Sequence, residues 1–124
     1  MLKSKIHRAR ITDTDINYEG SITIDQKLMA VAGILPYEQV HVLNLNNGVR
    51  LTTYAIEGEQ GEICLNGPAA RQAVKEDIVT ILTYCHIEDE KARNVKPKLV
   101  YVDANNAILE TKHEIEAITL LKAE

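Results

Sequence analysis

Apolar residues recur along this chain in short runs, each closed by glycine, proline or a polar cluster, which is the pattern of a strand-rich protein. Lys3 to Thr12 reads as an opening strand. The polar stretch from Asp13 to Gly20 has no apolar period, and Ser21 to Ile24 is a brief strand. Asp25 is placed to N-cap a helix over Gln26 to Ala32, with Gly33 closing it. Val40 to Leu45 alternates with polar positions and runs into Asn46-Asn47-Gly48, where Asn-Gly supplies positive φ for a hairpin, and Val49 to Ile56 is the return strand. Glu62 to Leu65, Asp77 to Ile87 and Leu99 to Asp103 complete the strands, with a short helix predicted from Pro68 to Val74. Many short strands around two short helices predict a mainly β barrel over residues 1–107. The remainder, Ile108 to Glu124, holds no Gly or Pro and is predicted as a helical extension. Its apolar stripe of Ile108, Ile115, Ile118 and Leu121 suits docking or assembly.

At 124 residues the chain fits one compact domain, and 45% apolar with 26% charged content is ordinary for a globular protein. Only 4% is aromatic, all of it tyrosine, so the core must be aliphatic and every aromatic ring carries a hydroxyl available for chemistry. The 18 acidic against 14 basic residues give a net charge of −4, which argues against a nucleic-acid partner because no basic stripe exists to displace counterions. The one basic cluster, Lys3, Lys5, His7, Arg8 and Arg10, suits a small anionic ligand. Cys64 and Cys85 read as two buried, reduced thiols, and no signal peptide or long apolar segment is visible, so a cytoplasmic protein without membrane contact is expected. The four histidines lack ligand spacing, and no metal is expected.

Candidate chemistry gathers at a few places. Tyr18-Glu19-Gly20-Ser21 joins the polar loop to a strand. Lys5 and His7, two apart on a strand, share a face, as do Arg50 and Tyr54 on another. Asn66-Gly67-Pro68-Ala69 opens a helix whose free N–H groups suit an anion or oxyanion. Taken singly, Ser21 is an ordinary turn residue, Arg50 and Tyr54 a solvated strand pair, and Asn66 a cap. Alternation also places Thr53 on the face opposite Tyr54, so both reach one site only through a twist, a bulge or an intersubunit cleft.

Together these pieces carry a resemblance. In order and spacing, Lys5-Ile6-His7-Arg8, Tyr18-Glu19-Gly20-Ser21, Ile24-Asp25, Ala32-Gly33-Ile34-Leu35, Asn47-Gly48 with Arg50, Thr53-Tyr54-Ala55-Ile56, Asn66-Gly67 with Ala69-Ala70, and Asp77-Ile78-Val79 are similar to the pyruvoyl-dependent aspartate 1-decarboxylase family from about Leu2 to Val102. The resemblance implies a double-psi β-barrel, a homotetramer with sites between neighbouring subunits, and a place in pantothenate and coenzyme A synthesis. It implies a precursor cleaved between Gly20 and Ser21, with or without a maturation factor, whose Ser21 becomes a covalent pyruvoyl group. That group would take L-aspartate to β-alanine and carbon dioxide through a Schiff base. By the same resemblance Thr53 assists self-processing and Tyr54 is the proton donor. Arg50, Lys5, His7, Asn66, Gly67, Pro68 and Ala69 bind substrate.

Two alternatives belong to other classes. A DNA-binding barrel is disfavoured by the charge and by the lack of interleaved aromatic and basic residues. An unprocessed β-barrel binding protein without catalytic activity keeps every motif and differs only in whether the Gly20–Ser21 bond breaks.

Overall fold

The structure, a computed structural model, describes residues 1–115. Nine strands, β1 (Leu2–Arg10), β2 (Asp13–Asp15), β3 (Ser21–Asp25), β4 (Gln39–Asn44), β5 (Arg50–Gly58), β6 (Ile63–Asn66), β7 (Ile78–Tyr84), β8 (Lys98–Val102) and β9 (Ile108–Lys112), are joined by two short helices, α1 (Gln26–Ala32) and α2 (Asp89–Ala92), and a 3₁₀ turn over Gly67–Gln72. Their lateral order is β2-β6-β3-β5-β4-β7-β1-β8-β9. Three parallel pairs, β1–β8, β2–β6 and β3–β5, are set among antiparallel ones. The fold is therefore the mainly β barrel expected.

Alternation builds the interior. Ser4 and Ile6 of β1, Val40 and Val42 of β4, and Ile81 of β7 are buried, while Lys5, His7 and His41 between them face outward and are only half-buried. The core is aliphatic, dominated by Ile, Val and Leu such as Ile22, Ile24, Ile63 and Leu65. Helix α1 matches its signals. Asp25 Oδ1 accepts from Lys27 N at 2.7 Å and Leu28 N at 3.3 Å, and Gly33 closes the helix at φ 72° with its N–H donating to Ala30 O. The hairpin turns at Gly48 with φ 75°, as Asn-Gly predicts.

The structure differs from the sequence reading at five places. Ile108–Lys112 is not helical but forms β9 against β8, because the open edge of β8 offers hydrogen bonds that outweigh a modest helix preference. The rest of the predicted helix, 116–124, lies outside the described residues. Asp13–Asp15, in the polar stretch before Ser21, pairs with β6, and Asp89–Ala92, where the sequence predicts no element, forms a single helical turn. The short helix expected over Pro68 to Val74 is a 3₁₀ turn at Gly67–Gln72, and Cys85 is half-buried rather than buried.

Candidate active site

Strand pairing fixes the centre of the site. Ser21 opens β3 and Asn66 ends β6, and the two stand directly opposite in antiparallel register. Ser21 is 1% exposed and Asn66 2%, so their polar groups must satisfy one another. Asn66 Nδ2 donates to Ser21 Oγ at 3.0 Å and to Thr23 Oγ1 at 2.9 Å, while Ser21 Oγ donates to the Glu19 carbonyl at 2.8 Å. The hydroxyl that alternation alone would leave as an ordinary turn group is thus held by two neighbours, one donating to it and one accepting from it.

Gly67 packs against the backbone of Gly20, the residue before Ser21. Its φ is 68°, and a Cβ added there would lie 2.7 Å from Gly20 Cα and 2.8 Å from Gly20 N. Beside them a cleft of about 360 Å³ is lined by Gly20, Leu51, Thr52, Thr53, Asn66, Pro68, Ala69 and Gln72. The structure thereby brings Gly20, Ser21, Thr53, Asn66, Gly67, Pro68 and Ala69 together.

Lys5, His7, Arg50 and Tyr54 do not line that cleft. Strand β5 pairs with β3 and β4 without a register shift, so Thr53 and Tyr54 project from opposite faces. Lys5, Leu82, His41 and Thr52 are registered in one row across β1, β7, β4 and β5, which puts Lys5 on the outer face that also carries Arg50 and Tyr54. The second set therefore lies outside the cleft, on the face of β5 whose Thr52 reaches the edge of the cleft. Tyr54 sits there with its ring 6.3 Å from that of Tyr37. Among the described residues neither Lys5 nor Arg50 is in an ion pair, so both charges stand ready for an anion.

His7 joins this patch beside a bulge in β1 between Ile6 and Ala9, where Arg8 takes φ 61°. Its ring meets Tyr101 edge-on at 5.2 Å, and its Nδ1 is buried without a hydrogen-bond partner. Burial first, then the positive charges of Lys5 and Arg8, hold the imidazole below its ordinary pKa. At neutral pH it is an uncharged donor and acceptor, so the positive charge beside it comes from Lys5 and Arg8.

Sequence reasoning missed Thr23 and Cys64. Thr23 lies two residues from Ser21 on the same strand, so period-2 alternation was the available signal. Cys64 stands opposite Thr23, and its Sγ donates to Asn66 Oδ1 at 3.3 Å.

Comparison with known proteins gives the family. Residues 1–109 match the model of the aspartate decarboxylase family. The chain is 58% identical over 108 residues to an aspartate 1-decarboxylase of Thermoanaerobacter pseudethanolicus, covering 86% of this chain and 92% of that protein. It is 57% identical over 122 residues to an aspartate 1-decarboxylase of Dehalococcoides mccartyi, covering 97% and 98%. With a family match across most of its length and relatives this similar, the chain belongs to the aspartate decarboxylase family.

Proposed function

We propose that this chain is the precursor of an aspartate 1-decarboxylase that cleaves itself between Gly20 and Ser21 and converts L-aspartate to β-alanine and carbon dioxide, supplying pantothenate and coenzyme A synthesis. The observation that carries the reading is the buried Ser21 hydroxyl, held by Asn66 and Glu19 next to Gly20, against whose N and Cα Gly67 is packed.

Self-cleavage follows from connectivity. Attack of Ser21 Oγ on the Gly20 carbonyl carbon closes a five-membered ring, so reach is guaranteed and only orientation must be supplied. The new C–O bond replaces the C–N bond, the freed nitrogen takes a proton, and an ester results. Loss of the Ser21 Cα proton then breaks the Cβ–Oγ bond and expels Gly20 as a carboxylate. The resulting enamine tautomerises to an imine, and water releases ammonia to leave a ketone. Asn66 Nδ2 donates to the oxygen that gains negative charge as it departs, and Thr53 in the cleft assists. The products are residues 1–20 and a pyruvoyl-headed chain of residues 21–124.

The residues around Ser21 suit the pyruvoyl group, because one buried donor, Asn66, and the small cleft over Pro68 and Ala69 surround the position it would occupy. When formed, the group supplies an electron sink for decarboxylation. The chain's own residues do the rest. Arg50 grips the retained carboxylate with its planar fork, since pairing a cation tightly with the departing one would oppose its loss. Lys5 and neutral His7 complete the binding of the dianion, Asn66, Gly67, Pro68 and Ala69 hold its reacting end, and Tyr54 returns a proton.

Because Lys5, His7, Arg50 and Tyr54 do not line the Ser21 cleft of their own chain, the reading takes the cleft of one chain and the Arg50–Tyr54 patch of another to make one site. This supports a homotetramer with sites between neighbouring subunits. The two unpaired thiols suit a reducing cytoplasm.

The test is incubation of purified protein with L-aspartate, reading β-alanine and carbon dioxide, for wild type and Ser21→Ala. Wild type is expected to form both and Ser21→Ala neither. Full activity in Ser21→Ala would refute the reading, and a wild type that matures only after addition of cell extract would assign the step to a maturation factor.

A further inference from the structure

The register of β3 and β6 places Ser21 opposite Asn66 and Thr23 opposite Cys64, so buried Ser21, Asn66 and Cys64 meet half-buried Thr23 in one polar cluster. Asn66 is the hub. Both of its N–H groups are used, on Ser21 Oγ and Thr23 Oγ1, and its Oδ1 receives the Cys64 thiol at 3.3 Å. The other acceptor within reach of that thiol, the Leu65 carbonyl, is farther at 3.9 Å.

A carboxamide can occupy such a cluster in two orientations. In the flipped one, Oδ1 faces Ser21 and would draw the hydroxyl proton away from Glu19, undoing the turn that sets the rotor, while Nδ2 would face sulfur. A thiol is a weak donor and a weaker acceptor, so it distinguishes the two orientations. Cys64 is 7% exposed; burial first, then the charges of Asp13, Glu62 and Asp15, push its pKa up to about 11, so the proton stays on sulfur through neutral pH.

We infer that Cys64 is a positioning residue for self-cleavage, whose thiol proton locks the Asn66 amide with its N–H groups toward Ser21. The inference rests on the proposed cleavage. It assigns work to a side chain that touches neither the scissile bond nor the substrate. Without the thiol, Asn66 Oδ1 loses its partner, the flipped amide is populated, and Oγ loses the donor that stabilises it as it departs.

The test follows cleavage of full-length precursor, made by cell-free synthesis and chased over time, by denaturing mass measurement. Cys64→Ala is expected to cleave about five- to tenfold more slowly than wild type, the worth of one neutral hydrogen bond. Cys64→Val, which fills the space without a donor, should be equally slow, and Cys64→Ser, which restores a donor, should return to about the wild-type rate. In an Asn66→Ala background, adding Cys64→Ala should slow cleavage no further, because the thiol acts through that amide. Wild-type rates in Cys64→Ala or Cys64→Val would overturn the inference, as would a Cys64→Ser chain as slow as Cys64→Ala. A wild-type chain that never cleaves would instead remove the parent reading, and this inference with it.

Discussion

Replacing Gly67 with alanine perturbs one contact, between the 3₁₀ turn and the scissile segment. The left-handed φ of 68° costs an L-residue roughly 1–2 kcal/mol by itself. The new Cβ would also stand 2.7 Å from Gly20 Cα, 2.8 Å from Gly20 N and 3.2 Å from Tyr18 O. All three neighbours are backbone, so no side-chain rotation relieves the clash and Gly20 must move by roughly half an ångström or more. Misplacement on that scale costs a reaction of this kind up to about 10²-fold in rate. Gly48 supplies the control, since its φ is 75° yet nothing lies within 4 Å of an added Cβ. Gly48→Ala therefore carries the conformational cost without the displacement. Cleavage is read by denaturing mass over time, and stability by urea unfolding of both variants in a Ser21→Ala background, where neither precursor can cleave. Gly67→Ala should cleave roughly 10–100-fold more slowly, and Gly48→Ala at about the wild-type rate. Equal cleavage rates for the two would refute the argument that Gly67 positions the bond.

Three further outcomes follow. Tyr54→Phe should process normally yet turn over poorly, and mixing it with Ser21→Ala during refolding should restore about a quarter of wild-type activity, because random assembly leaves that share of intersubunit sites with both groups intact; no recovery would place Ser21 and Tyr54 in one subunit's site. His7 has its pKa lowered on folding, so the unfolded chain takes up a proton first as pH falls below the ordinary 6.5, and the stability this side chain contributes is present above that value and is lost on descent. Urea midpoints between about pH 7 and about pH 5 should fall less steeply for His7→Gln than for wild type, and identical slopes would count against it. Asp25→Ala removes two helix-cap bonds and the bond from Gly61 N at 2.8 Å, and should cost about 2–3 kcal/mol in urea unfolding, with a loss below about 0.5 kcal/mol contradicting the capping role.

What the sequence made legible was local. Asp25 and Gly33 bracket α1 because a side-chain oxygen and a residue free of Cβ are needed at those two places, and Asn47-Gly48 marks the hairpin for the same kind of reason. Asp13–Asp15 carried no such mark. Three polar residues become a strand only because β6 is there to pair with them. Ile108–Lys112 shows the same override, since its composition favours helix and the exposed edge of β8 decides otherwise. The site divides likewise. Ser21, Asn66 and Gly67 were identifiable as a set, but nothing in their spacing reveals that Gly67 touches Gly20 or that Cys64 reaches Asn66. Those contacts depend on the register of β3 against β6, which is a long-range property. The conflict between Thr53 and Tyr54 was visible from alternation alone, and the unbroken pairing of β5 keeps it, with Thr53 lining the cleft and Tyr54 outside it.

The measurement closest to the central claim is the denaturing mass of freshly folded protein, taken before and after borohydride treatment. The account predicts two pieces, residues 1–20 and 21–124, with the larger gaining two hydrogens on reduction of its terminal ketone. A single uncut polypeptide, unchanged by borohydride yet still liberating carbon dioxide from aspartate, would contradict it.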